Sequence, residues 1–236
     1  MPSFVPGLVH TPVTPFTRDA RVDFDLFGKV IEFHLRSGAD SLAAPMHAGE
    51  SVSLTDEERR AVLEFAIKQV RGRVPVIAHV SHSGTGMAVS LARHAQEAGA
   101  AAIVATTPYY WTPPPAMVLE HFAQIGSAVR IPFFVYNAPE EMAGTKVNAE
   151  LCLKLMDKLD SFAGVADSSL DWQFMIELVD FARGMRPGFL LLPAVEYMVS
   201  AGAIGGRGAF SPLAAIAPTL VRRLYDLCRK EQYVES

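Results

Sequence analysis

At 236 residues and 50% hydrophobic composition, the chain can bury a large core and is long enough for one domain or two. A formal net charge of -4, a pI near 6.0 and the lack of any basic run exclude the electrostatic footprint of a nucleic-acid binder or of a protein drawn to anionic membrane. The longest apolar runs, such as residues 100–105 and 189–192, are strand-sized and far too short to span a bilayer, which leaves small molecules or other proteins as partners.

The first residues, MPSFVPGLVHTPVTPF, hold no basic stretch ahead of an apolar one and no cleavage signature, so a cytoplasmic location is expected. Residues 7–13 read as a short first strand, after which Thr14-Pro15-Phe16 turns the chain out into a loop. A helix begins at Asp23; Leu26, Val30, Ile31, Phe33 and His34 give it an apolar stripe, and Gly38 closes it. Residues 41–45 make a second strand. Beyond the loop that starts at Met46-His47, Thr55 with Glu58 three residues on is a capping box for a helix running to Arg71-Gly72. Residues 74–80 form a third strand, followed by the loop Ser81-His82-Ser83-Gly84 and a helix through Ala88, Leu91, Ala92 and Ala95 to Gly99.

Strands four to eight fall at residues 101–106, 132–136, 162–166, 189–192 and 208–211, with helical segments between them. Apolar strands alternating with helices at intervals of about 30 residues indicate a parallel sheet covered by helices. Eight such units in succession favour α/β architecture of one kind, a (β/α)8 TIM barrel formed as one domain by residues 1–236, with its site at the carboxyl ends of the strands. A doubly wound sheet competes, but the loop after strand one lacks the GxGxxG of a dinucleotide fold. Cys152 and Cys228 sit in helix-like patterns outside any CxxC pair and read as reduced packing residues. The last helix, residues 218–233, stops without a recognisable cap, which reads as a shortened chain.

Within this frame residues 131–139, IPFFVYNAP, stand out, because a buried strand ends in Tyr136-Asn137, where barrel enzymes place working groups. Four further segments join it: Gly49-Glu50-Ser51 after strand two, Leu54 with Glu58-Arg59, Thr107-Pro108-Tyr109-Tyr110 after strand four, and Gly208-Ala209-Phe210-Ser211 with Pro218 around strand eight. Together, and in this order, they resemble the dihydrodipicolinate synthase and N-acetylneuraminate lyase family of (β/α)8 barrels. The resemblance covers nearly the whole chain, although the family's C-terminal helical extension is largely absent. It implies a homodimer or homotetramer, with Tyr110 reaching across a subunit boundary.

Members of that family form a Schiff base between a strand-six lysine and a 2-oxo acid such as pyruvate. Their Ile-Lys-Glu-Ala-Ser pattern aligns with Val165-Ala166-Asp167-Ser168-Ser169, so the place of the lysine falls to Ala166, whose methyl group forms no imine. Of the lysines nearby in sequence, Lys154 and Lys158 belong to a helix and Lys146 to the loop after strand five. The family's paired threonines, which bind the carboxylate, align with His47-Ala48, and the loop after strand three is rewritten as His79-Val80-Ser81-His82-Ser83. Glu140-Glu141-Met142 replaces an arginine that grips a second substrate's carboxylate, and an acidic pair there repels a dicarboxylate.

The resemblance therefore implies Tyr136, Tyr110 and His47 as the catalytic groups of a lyase or hydratase working without an imine or a cofactor on a small 2-oxo acid, with Ala48, Gly49 and Phe210 at substrate-binding positions. Two other readings compete. One is a non-catalytic binder of such a ligand, or an inactive copy. The other is a metal-assisted lyase, because His10, His47, His79 and His82 fall near the ends of strands one to three with Glu50 and Asp167 close in the alignment, and His47, His79 and Asp167 are its candidate ligands. Alternation turns His10 away from the barrel axis if Thr11 faces it. His34, His94 and His121 read as solvent-facing or half-buried helix residues. Asp167 and Asp171, four residues apart at a strand-to-helix junction, read as a helix N-cap with a first-turn acid, and Trp111 and Trp172 read as packing residues.

Overall fold

A computed structural model of the chain describes residues 4, 6–139, 145–194 and 197–232. Eight strands and eight helices alternate: β1 (Leu8–His10), α1 (Phe24–Arg36), β2 (Ser41–Ala44), α2 (Asp56–Val70), β3 (Val76–His79), α3 (Thr85–Ala98), β4 (Ala102–Ala105) and α4 (Pro115–Ser127) make the first half. β5 (Phe133–Asn137), α5 (Ala149–Lys158), β6 (Phe162–Asp167), α6 (Trp172–Met185), β7 (Leu190–Pro193), α7 (Met198–Ile204), β8 (Ala209–Ser211) and α8 (Pro218–Arg229) make the second. The strands pair in parallel in the order β7-β6-β5-β4-β3-β2-β1-β8. Among the described residues no ladder joins β7 to β8, and the Arg207 N–H donates to the Leu191 carbonyl at 3.0 Å across the gap. The result is a nearly closed (β/α)8 barrel, the fold expected from the alternation.

Period-two alternation sorts the strand residues into two layers. Val9, Ala43, Ile77, Val104, Tyr136, Ala166 and Phe210 share one buried cluster inside the barrel. Leu42, Ala78, Ile103, Val135 and Val165 share the other, against the helices. Tyr136 is thus inward with Phe134, and Ala166 faces it across the β5–β6 register, in which Tyr136 pairs with Ala166 and Asn137 with Asp167.

Local signals end the elements. Asp23 caps α1 by accepting from Leu26 N, and Thr55 and Glu58 form the capping box of α2 at 3.2 and 2.9 Å. β1 is shorter than expected because its ladders to β2 and β8 reach only His10, after which Pro12 has no N–H to offer. The end of α8 differs from the uncapped stop expected for it: Glu231, at φ 57, takes the left-handed position of a Schellman closure, with Gln232 N donating to Leu227 O at 3.0 Å and Glu231 N to Cys228 O at 3.1 Å. A glutamate in place of glycine hid that cap; Tyr233 lies outside the described residues. Cys152 and Cys228 are buried and form no disulfide among the described residues, as read from the sequence. Among the described residues no helix is long and apolar enough to cross a membrane.

Candidate active site

The carboxyl end of β5 carries Tyr136, fully buried on the inner face. Its ring lies between two others: the His47 imidazole stacks on it at 5.4 Å between centroids and 16° between planes, and Phe210 of β8 lies at 5.8 Å. The phenol oxygen is 3.2 Å from Ser168 Oγ, just past β6. Two of the three groups expected to work together, Tyr136 and His47, are therefore in contact. Tyr110 stands apart, 94% exposed at φ 85 on the loop after β4. Ser168 went unnoticed in the sequence, although the alignment that set it against alanine carried the signal of a gained hydroxyl.

His47, Ala48 and Gly49 form a single 3-10 turn immediately after β2. Gly49 is required there by close approach, since a Cβ would sit 2.9 Å from Pro12 O and 3.0 Å from Thr14 Oγ1. Thr14 Oγ1 donates to Gly49 O at 2.7 Å and ties the loop after β1 to this turn. The Gly49 N–H donates to Met46 O, and Glu50 N–H to His47 O. Of the two positions expected to bind substrate in this turn, Gly49 thus has its backbone donor already engaged, and Ala48 is the one whose N–H remains outside these bonds.

On β3, inward parity continues from Ile77 to His79, which is buried and 2.6 Å from Ser81 Oγ through Nε2. Ser81 Oγ also accepts from Thr106 N at 2.8 Å. Burial pushes the His79 pKa well below the ordinary value, and Arg59 and His47 nearby act in the same direction. Arg59, itself buried, donates from Nη2 to the His79 carbonyl at 3.2 Å.

The polar residues one step further along β5 and β6 face the other way. Asn137 Nδ2 donates to Asp167 Oδ1 at 2.7 Å, Ser169 Oγ lies 3.0 Å from both carboxylate oxygens, and Asn137 Oδ1 accepts from Val147 N. Burial raises the Asp167 pKa to about 6, against the hydrogen bonds from Asn137 and Ser169 that lower it. Asp167 is thereby turned away from His47 and His79, the other two candidate ligands of the metal-assisted alternative. Among the described residues no group of three or more His, Cys, Asp or Glu side chains is placed to hold a metal ion. The expected N-cap is present, but it is Asp171, which accepts from Phe174 N at the start of α6; Asp167 ends β6, and the first turn of α6 holds no acid.

Other expectations divide. His10 does turn away from the axis, and it meets His34 of α1 with Nδ1 to Nδ1 at 3.1 Å. His34 and His121 are fully buried rather than solvent-facing, His121 with its Nδ1 at 2.9 Å from Thr85 Oγ1, while His94 is half-buried beside Glu64. Trp172 stacks on Tyr197 at 6.1 Å and packs against the core, whereas Trp111 is 46% exposed. Ala166 is fully buried in the inner cluster. All the chain's lysines, Lys29, Lys68, Lys146, Lys154, Lys158 and Lys230, are exposed. Glu140, Glu141 and Met142 lie outside the described residues.

Comparison with known proteins finds relatives of this barrel. The model of the dihydrodipicolinate synthetase family matches residues 5–235. The 4-hydroxy-tetrahydrodipicolinate synthase of Bartonella bacilliformis is 34% identical over 229 residues, which are 96% of this chain and 76% of that protein. Dihydrodipicolinate synthase from Aquifex aeolicus superposes with a TM-score of 0.90 at 28% identity, over 98% of this chain and 77% of the other. A prophage protein of the dihydrodipicolinic acid synthase family from E. coli K12, solved in complex with pyruvate, superposes with a TM-score of 0.91 at 28% identity, over 97% of this chain and 77% of the other.

Proposed function

The chain belongs to the dihydrodipicolinate synthetase family, a family of lyase type, and from that premise we propose that it acts on a small 2-oxo acid through Tyr136 and His47 without a lysine imine. The observation that carries this reading is the pair of stacked rings at the centre of a barrel from which every lysine is excluded. An imine requires an amine within bonding distance of the carbonyl carbon, and the inner residue beside Tyr136 is an alanine. What remains at this position can move protons: a phenol, an imidazole stacked on it, and the Ser168 hydroxyl. Ala48 N–H is the backbone donor suited to a carboxylate, with Gly49 shaping the turn and Phe210 flanking the phenol.

The complete burial of Tyr136 favours a second reading, a barrel that holds a 2-oxo acid without turning it over. Tyr110, 94% exposed in a left-handed backbone conformation, supports the companion proposal of a homo-oligomer, dimer or tetramer, in which this ring crosses a subunit boundary. Sedimentation as a monomer at assay concentration would remove that part.

Borohydride reduction in the presence of pyruvate tests the central proposal. The expected mass spectrum shows unmodified chain; a covalent adduct on any lysine overturns it. Melting temperatures against a panel of 2-oxo acids then separate binder from inert barrel, since ligand at about 100 times its Kd stabilises by about 2.7 kcal/mol. Turnover of a ligand so identified, lost on Tyr136→Phe, separates enzyme from binder.

A further inference from the structure

We propose that His79 is the group that holds the carbonyl oxygen of the bound 2-oxo acid, donating a hydrogen bond to it from Nδ1; this rests on the imine-free reading given above. An imine activates a 2-oxo acid by drawing electrons from the neighbouring carbon. Without one, the same electron shift places negative charge on the carbonyl oxygen, and a fixed N–H donor must meet it there.

The tautomer of His79 follows from its neighbours. Ser81 Oγ accepts the Thr106 N–H, so the one proton of that hydroxyl has His79 Nε2, at 2.6 Å, as its acceptor. Were Nε2 protonated, the Ser81 proton would be left without an acceptor at a residue 1% exposed. Nε2 is therefore bare and Nδ1 carries the proton. Nδ1 is buried and reaches no acceptor at full hydrogen-bonding geometry among the described residues, and the backbone carbonyl of Pro45 makes the one further hydrogen-bonding contact to the ring, which raises its pKa. The hydroxyls of Thr11 and Thr106, on the inward parity of β1 and β4, are likewise buried without partners. At the ends of β1 and β4 two hydroxyls thus lack what a small polar ligand supplies, and between them, at the end of β3, the His79 N–H has only the Pro45 carbonyl beside it.

The ring is suited to donate without protonating. Burial, with Arg59 and His47 nearby, disfavours the imidazolium, so His79 stays a neutral donor near pH 7, as an electrophilic histidine in a barrel enzyme can be. In the step it serves, the C–H bond next to the carbonyl breaks and its electron pair forms the carbon–carbon double bond. The carbonyl π pair moves onto oxygen, held by Nδ1–H, and the proton leaves to the His47 imidazole, which lies against the Tyr136 ring. Ser81 is a positioning residue that fixes the tautomer.

The test uses the intact protein with pyruvate and, as a probe lacking the carbonyl, propanoate. In nitrogen-15 histidine spectra, His79 is expected with Nδ1 protonated and Nε2 bare, and pyruvate but not propanoate moves the Nδ1 proton downfield. His79→Leu is expected to weaken pyruvate binding about tenfold while leaving propanoate within about twofold, and His79→Asn to recover part of the loss. A wild-type protein that binds no 2-oxo acid brings down the parent reading and this one with it. Wild-type binding of pyruvate with His79 protonated on Nε2, or with the pyruvate preference intact in His79→Leu, overturns the role of His79 alone. The tautomer reading needs no variant, so misfolding of His79→Leu does not shelter the proposal.

Discussion

The buried pair His10 and His34 makes acid stability a sharp test of the packing between β1 and α1. Both rings are 0% exposed, with Nδ1 to Nδ1 at 3.1 Å and ring centroids 5.3 Å apart. One Nδ1 must donate and the other accept, so protonating the acceptor would set N–H against N–H. Burial, joined for His10 by the neighbouring His34, lowers both pKa values to about 4 from 6.5; Asp40 raises that of His10 and Arg222 lowers it. The unfolded chain thus takes up protons near pH 6.5 and the folded one only near pH 4. Between these values the unfolded state binds more protons, so this stabilisation is complete above about pH 6.5 and is lost as pH falls toward 4. Each histidine is worth about 3 kcal/mol over that window at about 1.4 kcal/mol per pKa unit, and the two are coupled, so their sum is an upper bound. In His34→Gln the amide still serves His10, but one titrating group is gone. Urea unfolding followed by circular dichroism should show wild type ahead of the variant near pH 7, with the gap closing by about 2–3 kcal/mol near pH 4.5. Stability curves that stay parallel across that range would refute the reasoning.

Asp167 runs in the opposite sense. Its pKa is raised to about 6 from 3.8 mainly by burial, so the folded state holds the proton longer than the unfolded one, and stability falls as pH rises from about 4 to about 6. Asp167→Asn keeps an acceptor for Asn137 and should gain up to about 3 kcal/mol at pH 7 to 8 while flattening that slope; a variant less stable than wild type at pH 8 contradicts this. Two glycines divide by what a methyl group would meet. Gly164→Ala puts a Cβ 2.4 Å from Leu190 O and 2.8 Å from the Phe134 ring, inside the β6–β7 ladder, and should cost about 1–3 kcal/mol. Gly184→Ala on α6 meets nothing within 4 Å and should gain about 1 kcal/mol, so the two melting temperatures should move in opposite directions.

The barrel was legible because each strand is apolar on both faces, each helix carries a one-sided stripe, and the two alternate without a break. Tyr136 was legible for the same reason, since parity from Phe134 settles its face as inward. What escaped depends on contacts between elements distant in sequence. Whether His34 meets water or His10 is decided by how α1 lies on β1, which helical periodicity does not encode. Whether Asp167 joins His47 or Asn137 depends on β6 staying extended one residue beyond Ala166, and the reading of that strand stopped at Ala166. The histidine at position 79 looked like a rewritten loop because its partner, Ser81, gains meaning only once the Thr106 N–H arrives from the neighbouring strand. Tyr110 joined the site on the strength of resemblance, and one copy of the chain leaves it in solvent.

The inner face around Tyr136 ties these points together. A lysine in this interior would bring a cation into a space walled by the rings of His47, Phe134 and Phe210, at the cost of desolvating its charge. The His79 imidazole, whose charged form burial disfavours, presents an N–H without that cost. On the proposal that Ala166 stands at the lysine position, the missing amine and the histidines at positions 47 and 79 are two sides of one change, from a charged nucleophile that needs solvation to imidazoles that pack in a ring-lined core. On the same proposal the covalent step is given up while the phenol keeps its place, with the His47 imidazole stacked on it.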